Sequence, residues 1–168
     1  MPATRSDLEA YLAGLGIKTT TVDHPPLFTV EESRALRGTI PGAHTKNLFL
    51  KDKKDAVFLV TALEDADIDL KSLHHRIGAS GRLSFGKPEL LLEALGVTPG
   101  AVTVFGLLND RAARVTLILD KDLMANAAIN CHPLVNTATT TISSENLLAF
   151  ARATGHEPRI VAVAGSEL

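Results

Sequence analysis

A chain of 168 residues, 45% hydrophobic and 21% charged, has the length and composition of one soluble globular domain. Its net charge of −2 excludes a global positive field for nucleic acid, and its 4% aromatic content argues against an extended base-stacking platform. The single cysteine, Cys131, excludes an internal disulfide and points to a reducing compartment.

Ser6 and Glu9 form a Ser-x-x-Glu capping box. Leu8, Tyr11, Leu12 and Leu15 follow at helical spacing, which predicts a helix ending at Gly14 or Gly16. The β-branched run Lys18 to Asp23 predicts a strand, and His24-Pro25-Pro26 an extended turn. Thr29 and Glu32 make a second capping box, for a short helix to Leu36 closed by Gly38. Asn47–Leu50 and Ala56–Ala62 flank Asp52-Lys53-Lys54-Asp55, the pattern of a hairpin with a soluble tip. Asp69 to Ile77 reads as a helix stopped by Gly78, and Pro88 opens a helix over Glu89–Leu95 stopped by Gly96. Val102–Val104, Val115–Leu119, Thr137–Ile142 and Arg159–Ala164 read as strands. Ser143 or Ser144 caps a last helix before Gly155. The elements are interspersed without a βαβ rhythm, repeat or linker, so the expected fold is one α+β domain over residues 1–168, a mixed sheet with helices outside. Ser6, Asp7 and Glu9 come too early for a secretory leader, and no apolar run approaches the roughly 20 residues of a membrane span. The expected location is the cytoplasm.

Several chemistries lack their signatures: a P-loop, a dinucleotide fingerprint and a nucleophile elbow. The six His and one Cys do not reach zinc spacing, and no metal or cofactor is implied. His74-His75 reads as a solvated pair. Cys131 and His132, neighbours on a strand, face opposite sides, so a thiol nucleophile is disfavoured against a small buried hydrophobe.

Two polar clusters remain. Gly42-Ala43-His44-Thr45-Lys46-Asn47 leads into Leu48-Phe49-Leu50, with the four polar residues side by side at the mouth of a strand. From the residues alone, Lys46 is either a solvated strand-end lysine or an ammonium presented to a phosphate or carbonyl oxygen. The second cluster runs Asn130-Cys131-His132-Pro133-Leu134-Val135-Asn136-Thr137. His132 is either a buried structural histidine or an imidazole near a substrate amine or ordered water. Thr137, Thr139 and Thr141 share one strand face, as pocket hydroxyls or as a half-exposed strand.

These clusters, with the upstream His24 to Glu32, resemble the YbaK-like tRNA-editing domains, and most closely the free-standing prolyl-tRNA deacylases that remove alanine. The family has Gly-x-x-x-Lys-Asn before a hydrophobic strand and Asn-x-His-Pro-Leu-x-Asn-Thr late in the chain. The resemblance covers nearly the whole sequence. It implies a small, curved, barrel-like mixed sheet with flanking helices. It also implies an ester hydrolase acting on the acceptor end of mischarged tRNA, with prolyl-tRNA synthetase or an elongation factor as protein partner; the alternatives are a cysteinyl-tRNA deacylase of the same fold and a module that binds tRNA or a synthetase without turnover.

Carried residue by residue, the resemblance makes Lys46, His132 and Gly100 the catalytic candidates. His44, Thr45, Asn47, Asn136, Thr137 and Thr139 become substrate-binding candidates. Gly100 marks a Gly-x-x-x-Pro loop whose proline is replaced here by Val104. With few basic residues together, RNA binding is expected to depend only weakly on salt.

Overall fold

The computed structural model describes residues 2–26 and 30–164. Among the described residues the α-helices and strands follow in chain order: α1 (Arg5–Gly14), β1 (Thr20–Asp23), α2 (Val30–Arg37), β2 (Ala43–Lys51), β3 (Val57–Leu63), α3 (Leu73–Ile77), β4 (Ser84–Phe85), α4 (Pro88–Leu95), β5 (Val115–Asp120), α5 (Lys121–Met124), β6 (Ala128–Cys131), β7 (Ala138–Ser143), α6 (Ser144–Ala153) and β8 (Arg159–Val161). The strands form one mixed sheet in the order β1-β7-β6-β2-β3-β5-β8, with β4 added beside β2. Pairs β1–β7, β7–β6, β2–β3 and β2–β4 are antiparallel; β2–β6, β3–β5 and β5–β8 are parallel.

The sheet is covered on both sides. Phe49, Leu59, Leu117, Ile129 and Ile142 point into the larger core, roofed by Leu8, Leu91, Leu95 and Phe150 of α1, α4 and α6. Leu50, Phe58, Val60 and Ile118 point into the smaller core, under Leu73 and Ile77 of α3. This two-sided cover is why β3 reads as a continuous apolar run, with Val57 to Ala62 all buried.

Local signals explain most ends. Pro88 opens α4, and Gly96 closes it at φ 69°. Gly78 closes α3 at φ 70°. Ser143 caps α6 by accepting from Asn146 N. Three predictions are corrected. The first helix is capped by Thr4, whose side chain accepts from Asp7 N while Asp7 receives the Thr4 N–H, so the box lies two residues before Ser6. Val102–Val104 is not a strand. Thr103 Oγ1 accepts from Phe105 N and starts a 3-10 helix over Val104–Asn109, because Val104 and Phe105 are needed as plugs in the larger core. The His74 and His75 rings meet at an angle of 38° with centroids 4.0 Å apart, and His74 is half-buried, so the pair is only partly solvated. The capping role assigned to Thr29 lies outside the described residues, although α2 occupies the expected place.

Candidate functional site

The two polar clusters meet through one short parallel ladder, Ala43↔Ile129 and His44↔Asn130. Thr45 Oγ1 donates to Asn130 O at 2.7 Å, and Asn130 Nδ2 donates to Pro41 O at 3.0 Å. Gly42 makes this approach possible. Its φ is +108°, and a Cβ there would sit 3.0 Å from Asn130 Nδ2 and 3.1 Å from Ala128 O. Thr141 Oγ1 closes the cluster by donating to Asn130 Oδ1 at 2.5 Å.

The strand begins at Ala43, so His44 to Asn47 lie inside β2 and alternate between faces rather than standing side by side. Thr45 and Asn47 fall on the side of the larger core. There the Thr61 hydroxyl donates to Asn47 Oδ1 at 2.7 Å. His44 and Lys46 fall on the other side, with Asn130 and, two residues beyond it, His132. Lys46 pairs with Ala62, and Glu64 N donates to His44 O at 2.9 Å, so Glu64 continues the same face. The ammonium of Lys46, half-buried, donates to Ala66 O.

His132 is half-buried, and its Nδ1–H donates to Ala138 O at 3.2 Å. That bond selects the tautomer with a lone pair on Nε2. Burial holds its pKa below the usual 6.5; the Ala138 bond opposes this, the charge of His24 adds to it, and Glu64 opposes it. His24 is held in turn, with Nδ1–H donating to Pro25 O at 2.9 Å and Nε2 accepting from Thr139 Oγ1 at 2.9 Å. Thr139 is thus a buried support for His24. Thr137 is exposed, and its carbonyl accepts from His24 N at 2.9 Å. Gly100 lies in a 3-10 turn, Pro99–Ala101, beside Asn136, whose Nδ2 would be 3.4 Å from a Cβ at that position.

Lys46, His44 and His132 therefore share one face, and Gly100 joins Asn136. Thr45 and Asn47 look the other way. Cys131 also turns away; burial pushes its thiol up to about 12, with the Thr45 hydroxyl opposing, which is no setting for a thiolate. Glu64 and His24 were missed as site residues. Strand parity after Ala62 carries the signal for Glu64, since extending the hairpin register places it across from His44. A separate groove of ≈ 1020 Å³ is lined by Tyr11, Leu92, Asn109, Arg111 and Thr154 among others, and none of the predicted site residues borders it.

The model of the aminoacyl-tRNA editing domain family matches residues 24–150, and the chain belongs to this family. Among its relatives, the prolyl-tRNA synthetase associated domain-containing protein 1 of Danio rerio is 43% identical over 159 residues, covering 94% of this chain and 86% of that protein. The prolyl-tRNA editing protein ProX of Acetoanaerobium sticklandii is 38% identical over 148 residues, covering 88% and 90%. The crystal structure of a proposed trans-editing enzyme for prolyl tRNA synthetase superposes with a TM-score of 0.71 at 21% identity, over 94% and 96% of the two chains, which supports the fold. Among the described residues no helix is long and apolar enough to cross a membrane.

Proposed function

We propose that the protein is a trans-editing hydrolase that removes alanine from mischarged proline tRNA in the cytoplasm. The observation that supports this reading is the β2–β6 ladder, Ala43↔Ile129 and His44↔Asn130, which sets the segments carrying Lys46 and His132 side by side although they lie more than 80 residues apart.

An aminoacyl ester is already activated, so its hydrolysis needs a positioned water, a stabilised oxyanion and a fixed ester. Water adds to the ester carbonyl as one of its protons passes to the Nε2 lone pair of His132, and a tetrahedral oxyanion forms. The bond from carbon to the ribose oxygen then breaks, and that oxygen takes the proton from His132 as free alanine leaves. Lys46 holds the 3′ end through its ammonium. The Nε2 lone pair of neutral His132 accepts from the water or from the substrate's amine. The turn around Gly100 offers backbone amides to the carbonyl oxygen. The cleft works as a size filter, open to alanine and closed to proline by clash. A synthetase site built for proline rejects a smaller side chain weakly, at about 1–3 kcal/mol per missing methylene, which is why a second sieve is needed.

The test is hydrolysis of one proline tRNA body carrying alanine, serine, cysteine or proline. Alanine is expected to turn over much faster than proline, with serine between. Preference for cysteine would reassign the protein as a cysteinyl-tRNA deacylase. Binding of charged tRNA without any release of amino acid would make it a binding module.

A further inference from the structure

The far end of β2 carries a second feature. Residues 70–88 contain four Lys or Arg and two His but no Asp or Glu, in a chain with 17 basic and 19 acidic residues. The fold adds the hairpin tip to this stretch. Lys53 N donates to Ser80 O at 3.0 Å, and Asp52 accepts from Ser80 N at 2.9 Å. The Lys53 stem lies over Gly81, where a Cβ would be only 2.7 Å away. Asp52 is buried and held by the backbone N–H groups of Lys54, Ala56 and Ser80; it stays ionised and its charge offsets part of that of Lys54. Asp55 lies 3.6 Å from Lys51 and offsets that one lysine. Lys53, Lys54 and Arg82 remain exposed at or next to the joint, and the exposed Lys87 follows at the other end of β4, past Phe49.

Phe85 lies between Arg82 and Lys87 in the chain. It is 58% exposed, whereas Phe49, Phe58, Phe105 and Phe150 are all buried. It sits on β4, opposite Leu50, held by the β4–β2 pairs and by Gly86 N donating to Phe49 O at 2.9 Å. An exposed ring held on a strand, with an exposed cation before and after it in the chain, combines a stacking surface for a base with charges for phosphates.

Resting on the reading above, we infer that the hairpin tip, the loop 78–82 and β4 dock the RNA that carries the ester, with Phe85 stacking on a base and the four cations on phosphates. Lys46 and Lys51 are five residues apart on β2, about 17 Å. A nucleic-acid strand crosses that span with roughly five phosphates. Glu64, Asp65, Asp67 and Asp69 follow β3 beside Lys46 and repel phosphates there, which confines the backbone contacts to the far end. The weak salt dependence expected from the sequence is thereby revised. Four phosphate contacts give a log–log slope of about −3 to −4.

The experiment compares wild type with Arg82→Glu/Lys87→Glu and with Phe85→Ala, all at exposed positions. Binding of uncharged tRNA is measured against salt, and hydrolysis is measured on Ala-tRNA and on 3′-alanyl adenosine. The charge variant is expected to bind tRNA at least ~10-fold more weakly, with the slope reduced by roughly two. Its KM for Ala-tRNA rises and kcat stays, while the small ester is hydrolysed at the wild-type rate. Phe85→Ala weakens binding without changing the slope. Unchanged tRNA affinity and slope in both variants, with hydrolysis intact, overturns the docking site and leaves the proposed function standing. If wild type hydrolyses neither ester, the proposed function fails. The docking site is then judged by tRNA binding alone, upheld by loss in the charge variant and overturned by its absence. Loss of binding to prolyl-tRNA synthetase in Phe85→Ala, with RNA affinity unchanged, also overturns it and makes the patch a protein contact.

Discussion

His132 and His156 are two histidines of one chain with opposite assignments. His156 is 4% exposed, and both ring nitrogens are taken: Nε2 meets Asp110 Oδ2 at 2.7 Å and Nδ1 meets Thr154 Oγ1 at 2.9 Å. Asp110 also accepts from Arg114 N and Val115 N, at 3.1 and 2.8 Å, and Thr154 donates to Ala151 O at 2.8 Å. The cluster ties the end of α6 to the start of β5. Its Thr-His-Asp order resembles a catalytic triad, but the hydroxyl is already donated to a carbonyl and the ring is enclosed. His132 is half-buried, with Nδ1 anchored on Ala138 O and its ring within electrostatic reach of His24 and Glu64. Full satisfaction marks a staple; a histidine held by one nitrogen only is equipped to exchange a proton with something that arrives.

The sharpest way to break this contrast is to cut the staple. Asp110→Ala leaves the His156 ring and two backbone N–H groups without their partner, and should cost about 3–5 kcal/mol of stability. The remaining folded protein, quantified by active-site titration or circular dichroism, should hydrolyse Ala-tRNA at the wild-type rate. A loss of turnover at unchanged stability would mean the second cluster is chemical after all.

Lys46→Ala should do the reverse. Removing one charged group at a developing oxyanion or fixed ester typically costs 10²–10³-fold in rate, about 2.7–4 kcal/mol. The midpoint of urea unfolding should barely move, since a half-exposed ammonium contributes little to stability. Near wild-type turnover in a folded Lys46→Ala protein would remove the lysine from the site.

His132→Gln should lower kcat/KM by roughly 10²-fold, the scale of one general acid–base group. The pH profile sharpens the point. With its pKa depressed chiefly by burial, the wild-type ring stays neutral below 6.5, so activity should persist under that pH and fall only at a lower inflection, which disappears in the variant. Linkage has the same sign. The unfolded ring binds the proton more readily than the folded one, so the neutral ring's full contribution to stability is present above 6.5. It is lost as pH falls through the depressed folded value. An inflection above 6.5 would contradict the burial.

The smallest effect is expected at Cys131→Ser. The thiol is buried beside the Thr45 hydroxyl and faces away from Lys46 and His132. Activity should stay within about threefold, the range of small packing changes, because a hydroxyl there can pair with Thr45. An acyl group trapped on Cys131 would restore the thiol mechanism.

Much of the local structure was legible in the chain. Pro88 and Gly96 bracket α4, Gly78 ends α3, and the apolar runs either side of Asp52 to Asp55 form the β2–β3 hairpin. These signals act within a few residues, through φ, caps and turn closure. The motifs also carried the family and the candidates Lys46 and His132. Pairing and parity decided the rest. β6 is four residues long, and it becomes a strand because β2 and β7 clasp it. That clasp sets Lys46 with His132 and turns Thr45 and Asn47 to the other face, a one-residue distinction invisible in a run of polar side chains. Val102–Val104 has strand-like residues, yet the larger core takes Val104 and Phe105 as plugs. The basic surface at the hairpin tip arises because Lys53 and Gly81, 28 positions apart, are pressed together. Local sequence sets what a segment can be. Which face it shows, and to what, is set by long-range burial and strand register, which no short window of sequence contains.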